Sequence, residues 1–120
     1  MELSQVAGIL IHVPDPKEGL EWYSRAFPYA RRVTVADGSF ECLLAGPIQL
    51  EIVPADAKVG SGPSGSIVYW RVDDFDEALA HFQEVGATLY RGPMRIEYGQ
   101  AMCQVRDPWG NCIGLRGLKR

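Results

Sequence analysis

Hydrophobic positions along the chain fall in short runs of period two, and two of these runs lead into helical spacing. Ile9, Ile11 and Val13 stand two apart, which places them on one face of a strand. Asp15 and Pro16 come next, then Leu20, Tyr23 and Phe27, the i, i+3, i+7 stripe of a helix packed on one side. The same succession returns with Val68, Trp70 and Val72, then Asp74, then Leu79, Phe82 and Val85. Gly86 is placed to end that second helix. The segments "ILIHVPDPKEGLEWY" and "VYWRVDDFDEALAHF" superimpose without a gap at an offset of 59 residues. Asp15 falls on Asp74, Glu18 on Glu77 and Tyr23 on Phe82. In both copies the aspartate reads as the helix cap and the glutamate as its capping-box partner, and Pro16 suits the first helical position.

Three short strands are expected after each helix. In the first copy "RRVTVADGSFECLLA" reads as strand, turn and strand, with Asp37-Gly38 as a two-residue hairpin turn, and "PIQLEIV" is the fourth strand. In the second copy "TLYRG", "QAMCQVR" and "NCIGL" fill these roles, with an irregular insertion from Gly92-Pro93 to Gly99. Module one is expected over about 5–54 and module two over about 66–117. The Gly- and Ser-rich stretch at about 54–65 is read as a linker within one domain. A sheet with one helix leaves its other face bare. The expected fold is therefore α+β: two βαβββ modules forming a curved eight-stranded sheet, a cup with helices outside. The faces bearing Ile9, Ile11, Val13, Val68, Trp70 and Val72 belong under the helices, and the opposite faces line the cup.

Parity then assigns the cup lining. Leu10 and His12 come from the first strand, Gln49 and Glu51 from the fourth, Ile67, Tyr69 and Arg71 from the fifth, and Cys112, Gly114 and Arg116 from the last. This mixture of apolar and polar side chains is what small-molecule pockets present. His12 reads either as a general base or as a packing residue. Arg71 reads as a partner for Glu51, a binder of an anionic ligand, or a solvated rim residue. Gly114 is conspicuous, because glycine in a strand interior contributes no side chain.

Composition narrows the classes. A net charge of −3 in 120 residues argues against a nucleic-acid partner, and no apolar run is long enough for a membrane span. No basic region precedes the first apolar run, so no signal peptide is expected. Three cysteines without metal spacing are expected to be reduced thiols in a cytoplasmic protein. No phosphate loop, nucleophile elbow or dinucleotide fingerprint is present in the sequence.

The pieces "VPDPKEGLEWYSRAF", "RVDDFDEALAHFQEVGA" and "RDPWGN" resemble the vicinal oxygen chelate superfamily, which includes glyoxalase I, bleomycin-resistance proteins and extradiol dioxygenases. The resemblance implies a divalent-metal site drawn from the first and fourth strands of both modules, typically with His and Glu ligands. The matching positions here are Gly8, Ile67, Glu51 and Gly114, so three of the four carry no donor side chain. Gly8 and Gly114 are expected to leave space there. The resemblance accordingly implies a metal-independent small-molecule-binding protein, with no metal or cofactor and no assigned catalytic residue. The alternative is a metal-dependent lyase, isomerase or dioxygenase resembling glyoxalase I, with Glu51 and a strand slip that brings in His12 or Glu97. A second alternative is a drug-sequestering resistance protein. Pairing of chains is frequent in this superfamily, which implies a homodimer.

Overall fold

The chain divides into two compact units, Met1–Gly60 and Ser61–Arg120. The computed structural model describes residues 1, 5–35, 38 and 40–120, the Val35 side chain excepted. Unit one runs β1 (Gly8–Val13), α1 (Pro16–Ala26), β2 (Arg31–Val35), β3 (Phe40–Ala45) and β4 (Ile48–Pro54). Unit two repeats the order with β5 (Tyr69–Val72), α2 (Phe75–Glu84), β6 (Thr88–Arg95), β7 (Gln100–Arg106) and β8 (Cys112–Leu118). Each unit holds one four-stranded mixed sheet, in the orders β1-β4-β3-β2 and β5-β8-β7-β6. In both, the first strand lies parallel to the fourth, and the remaining pairs are antiparallel.

The helices start where the capping pattern places them. Asp15 accepts from the Lys17 N–H at 3.0 Å, and Asp74 from the Glu77 N–H at 3.1 Å. Pro16 occupies the first turn without a lost donor. The helical stripes are shorter than their spacing implies, because Phe27 and Val85 stand at the C-caps. Phe27 still packs, its ring stacked on Tyr23 at 5.8 Å between centroids. Under α1 the sheet buries Val13, Leu43, Leu50 and Ile52 against Leu20, Trp22 and Tyr23. In unit two the buried set is Phe75 and Phe82 with Cys103, Val105, Ile113 and Leu115. Burial of Cys103 pushes its thiol up to about 11.

Two boundaries differ from the sequence pattern. The segment read as an irregular insertion is partly strand: β6 continues to Arg95, with register shifts between Leu89 and Arg91 and between Arg91 and Met94. Gly92, with φ +81°, allows this path, since a Cβ there would lie 3.0 Å from the Met102 carbonyl oxygen. The Asp37 half of the expected hairpin turn lies outside the described residues.

The "RDPWGN" turn between β7 and β8 is built around a buried carboxylate. Asp107 accepts from the N–H groups of Trp109 (2.9 Å) and Asn111 (2.8 Å) and from the Asn111 side-chain amide (2.9 Å). Charge-assisted bonds of this kind offset the cost of burying the group. The Asn111 side-chain oxygen in turn accepts from the Gly62 N–H at 2.9 Å, so the segment before β5 is tied to the turn.

Helix-to-sheet distance in unit one is set by Gly19. A Cβ there would stand 2.7 Å from Ile52 Cγ2 and 2.8 Å from Val13 Cγ2. Helix propensity favours alanine over glycine by about 1 kcal/mol, whereas overpacking a fitted core costs about 1–3 kcal/mol. Gly19→Ala is therefore expected to be neutral to destabilising, by up to about 2 kcal/mol, in urea unfolding. A stability gain near 1 kcal/mol would show that α1 can lift freely off the sheet.

Candidate functional site

In each module the helix covers one sheet face, and the candidate residues stand on the other. In module one, register sets Gly8 beside Gln49 and Leu10 beside Glu51. His12 lies beside Val53. Leu10 is 54% exposed, large for a leucine and consistent with a face made for contact. Gln49 donates to Glu51 Oε2 at 2.9 Å. The carboxylate expected to find an arginine or a ligand is thus held by its neighbour two residues away. That bond also occupies the room at Gly8, where a Cβ would lie 3.5 Å from the same oxygen and 3.3 Å from the Gln49 carbonyl oxygen. The buried Cys42 thiol is pushed up, first by desolvation and then by the Glu51 carboxylate. The Asp56 carboxyl is held low by the N–H groups of Val59 and Lys58, with a further contribution from His12.

In module two the structure explains Gly114. Tyr69 stands opposite it in register, and the Tyr69 ring lies over the glycine. A Cβ at position 114 would come within 2.5 Å of Tyr69 Cδ1 and 2.6 Å of Cγ. The space expected to be open at Gly114 is filled by an aromatic ring. Tyr69 is fixed at its far end as well, its hydroxyl accepting from the Gln104 amide at 3.0 Å. The Arg116 guanidinium stands over the ring at 5.4 Å from its centroid, a cation–π distance. Arg116 Nε is buried and has no hydrogen-bond partner. Arg71 pairs with Arg116 in register and is exposed. Ile67 lies just ahead of β5 rather than within it. Cys112 opens β8 with its thiol pushed up, mainly by desolvation, with Arg106 opposing, which disfavours a thiolate nucleophile.

A pocket of about 220 Å³ opens on this face, lined by Tyr69, Arg91, Gly92, Met94, Met102, Cys103 and Gln104. Of the residues that sequence parity put forward, only Tyr69 lines it. Met102 and Gln104 carried a readable signal, since they alternate with the buried Ala101, Cys103 and Val105 along β7. Arg91 and Met94 carried none, because the register shifts in β6 break the period that would place them.

A chelate site fits these residues poorly. Among the described residues no group of three or more His, Cys, Asp or Glu side chains could hold a metal ion. Of the four positions where a ligand is implied, one has a donor, and that donor is engaged by Gln49.

Residues 5–115 match the sequence model of the Glyoxalase/Bleomycin resistance protein/Dioxygenase superfamily. No curated protein matches the sequence. Solved structures share the fold at low identity. An antibiotic-binding protein, TnmS3, from Streptomyces sp. CB03234 is 24% identical, with 98% of each chain covered and a TM-score of 0.71. A member of the same superfamily from Sphaerobacter thermophilus is 21% identical, covering 96% of this chain and 98% of that one, with a TM-score of 0.75. A lactoylglutathione lyase from Agrobacterium tumefaciens is 18% identical, covering 98% and 96%, with a TM-score of 0.70.

The stacking of Tyr69 on Gly114 has a measurable signature. Gly114→Ala forces the ring aside and is expected to cost about 1–3 kcal/mol in urea unfolding. Tyr69→Ala removes the obstacle, so the double variant is expected to be more stable than the two single losses added together. Strict additivity would show that the ring does not rest there.

Proposed function

Since the chain belongs to the Glyoxalase/Bleomycin resistance protein/Dioxygenase superfamily, we propose that it is a metal-independent binder of a small organic molecule, held on the sheet faces that the helices leave open. The observation that carries this reading is the Tyr69 ring on Gly114, where the superfamily pattern implies a carboxylate ligand. Ile67 and Gly8 add no donor, and Glu51 is already hydrogen-bonded within its own module. A single carboxylate completed by water binds a divalent ion weakly. The likeness to an antibiotic-binding protein agrees with binding as the function, and the likeness to a lactoylglutathione lyase stands for the rival, metal-dependent enzyme. Both likenesses speak for the fold alone, and the donor set supports the binding reading.

Two further features belong to this reading. The cysteines Cys42, Cys103 and Cys112 are all unpaired, which suits the reducing cytoplasm. No described helix is long and apolar enough to cross a membrane. We also propose a homodimer, the commonest closed assembly. Exposed Leu89 and Tyr90 on the edge strand β6, at 42% and 46%, favour an apolar contact.

Elemental analysis of the purified, dialysed protein tests the first claim. Well under one Zn, Ni, Mn or Fe per chain is expected, together with stabilisation by organic ligands that EDTA leaves unchanged. One tightly held metal per chain would replace this reading with the enzymatic one. A panel of organic acids, amines and neutral aromatics that leaves the melting temperature unmoved would remove it.

Light scattering at micromolar concentration tests the second. The expected mass is twice the 13.3 kDa of the chain. A mass of one chain across that range would reject the dimer.

A further inference from the structure

The open face of module two carries an excess of one charge. Arg71, Arg91, Arg106 and Arg116 occupy it by register, and no Asp or Glu stands on it among the described residues. Arg106 is engaged, donating to the Gly110 carbonyl at 3.1 Å and lying 5.0 Å from the Tyr90 ring centroid. Arg116 also stands over a ring, but its Nε is withdrawn from water without an acceptor, a costly state for a charged donor. Arg91 lines the pocket directly. Arg116 borders it, paired with the pocket residue Met102 and standing over Tyr69.

The rest of the pocket is flat and polarisable. The Tyr69 ring is fixed from below by Gly114 and at its hydroxyl by Gln104. Met94 and Met102 pair across β6 and β7 beside it. Aromatic and thioether groups pack well against a planar ring. Strands β6 and β8 flank β7, and Arg91 and Arg116 lie two residues apart in register, so they start about 12 Å apart, a gap that two arginine side chains reaching toward each other can close. The volume of about 220 Å³ suits a body of one or two rings.

We infer that this face binds a small aromatic carboxylate, its anionic group taken by Arg116 and Arg91 and its ring laid against Tyr69, Met94 and Met102. The inference rests on the small-molecule reading above and names the ligand class for it. A carboxylate meets Arg116 at its terminal N–H groups, since Nε is withdrawn from the surface, and guanidinium groups match carboxylates in a bidentate manner.

Titration of the 15N-labelled protein by NMR with 2-naphthoate, and separately with the isosteric but neutral 2-naphthamide, tests it. The carboxylate is expected to move the amides of Tyr69, Gly92, Gln104 and Gly114 saturably, with an affinity at least tenfold above that of the amide at low salt. Arg116→Gln is expected to lower the carboxylate affinity about tenfold, corresponding to about 1.4 kcal/mol, and Arg116→Lys to lower it less. Arg91→Gln changes an exposed residue, so it keeps the test valid if the Arg116 variants misfold, and it is expected to weaken the carboxylate and leave the amide unchanged. Equal affinities for the two probes, insensitive to either arginine, would overturn anion recognition while leaving small-molecule binding in place. No saturable shift at these amides with either probe at millimolar concentration would also overturn the inference. The metal and melting measurements above then decide the broader reading by themselves.

Discussion

Each helix here covers one face of a four-stranded sheet, so the other face must be filled by side chains, a partner or a ligand. Strand periodicity divides every strand between these two duties. Leu50 and Ile52 go under α1 while Gln49 and Glu51 point the other way, and Leu115 goes under α2 while Gly114 and Arg116 do not. The covered faces are alike in the two modules, both apolar and closely fitted. The open faces have diverged: one holds a Gln–Glu pair, the other a tyrosine among arginines. The folding determinants and the candidate site thus stand on opposite sides of the same strands.

The covered side was legible in outline: Val13, Leu20, Tyr23 and Phe82 are buried where the pattern places them, whereas Ile9, Ile11, Trp70, Val72 and Leu79 are half-buried and Val68 is exposed ahead of β5. Period-two runs, two capping aspartates and a repeat without gaps specify the helix starts and the buried stripes, because burial and capping are local demands. The helix ends were less legible, since Phe27 and Val85 keep the helical spacing while standing at the caps. The course of β6 was not legible, because a strand with shifted register hides its period.

The open side was legible in membership and obscure in content. Parity correctly put Tyr69, Gly114 and Arg116 on one face. It could not show that the tyrosine ring occupies the space the glycine vacates, since that depends on a side-chain direction and not on a register. The same holds for Glu51, whose partner Gln49 sits two residues away along its own strand. A missing side chain in a strand is as easily filled by a neighbour as left vacant, and only packing distinguishes the two.

The Asn111 bond to Gly62 bears on where the second module begins. By hydrophobic pattern the second module begins near Val68, yet the residue that seals its last turn lies earlier. The boundary between the compact units falls at Gly60 and Ser61, just ahead of that residue. The second module is therefore longer at its front than its strand and helix require, and a split of the polypeptide into two fragments keeps the latch within one of them only if the break precedes Gly62.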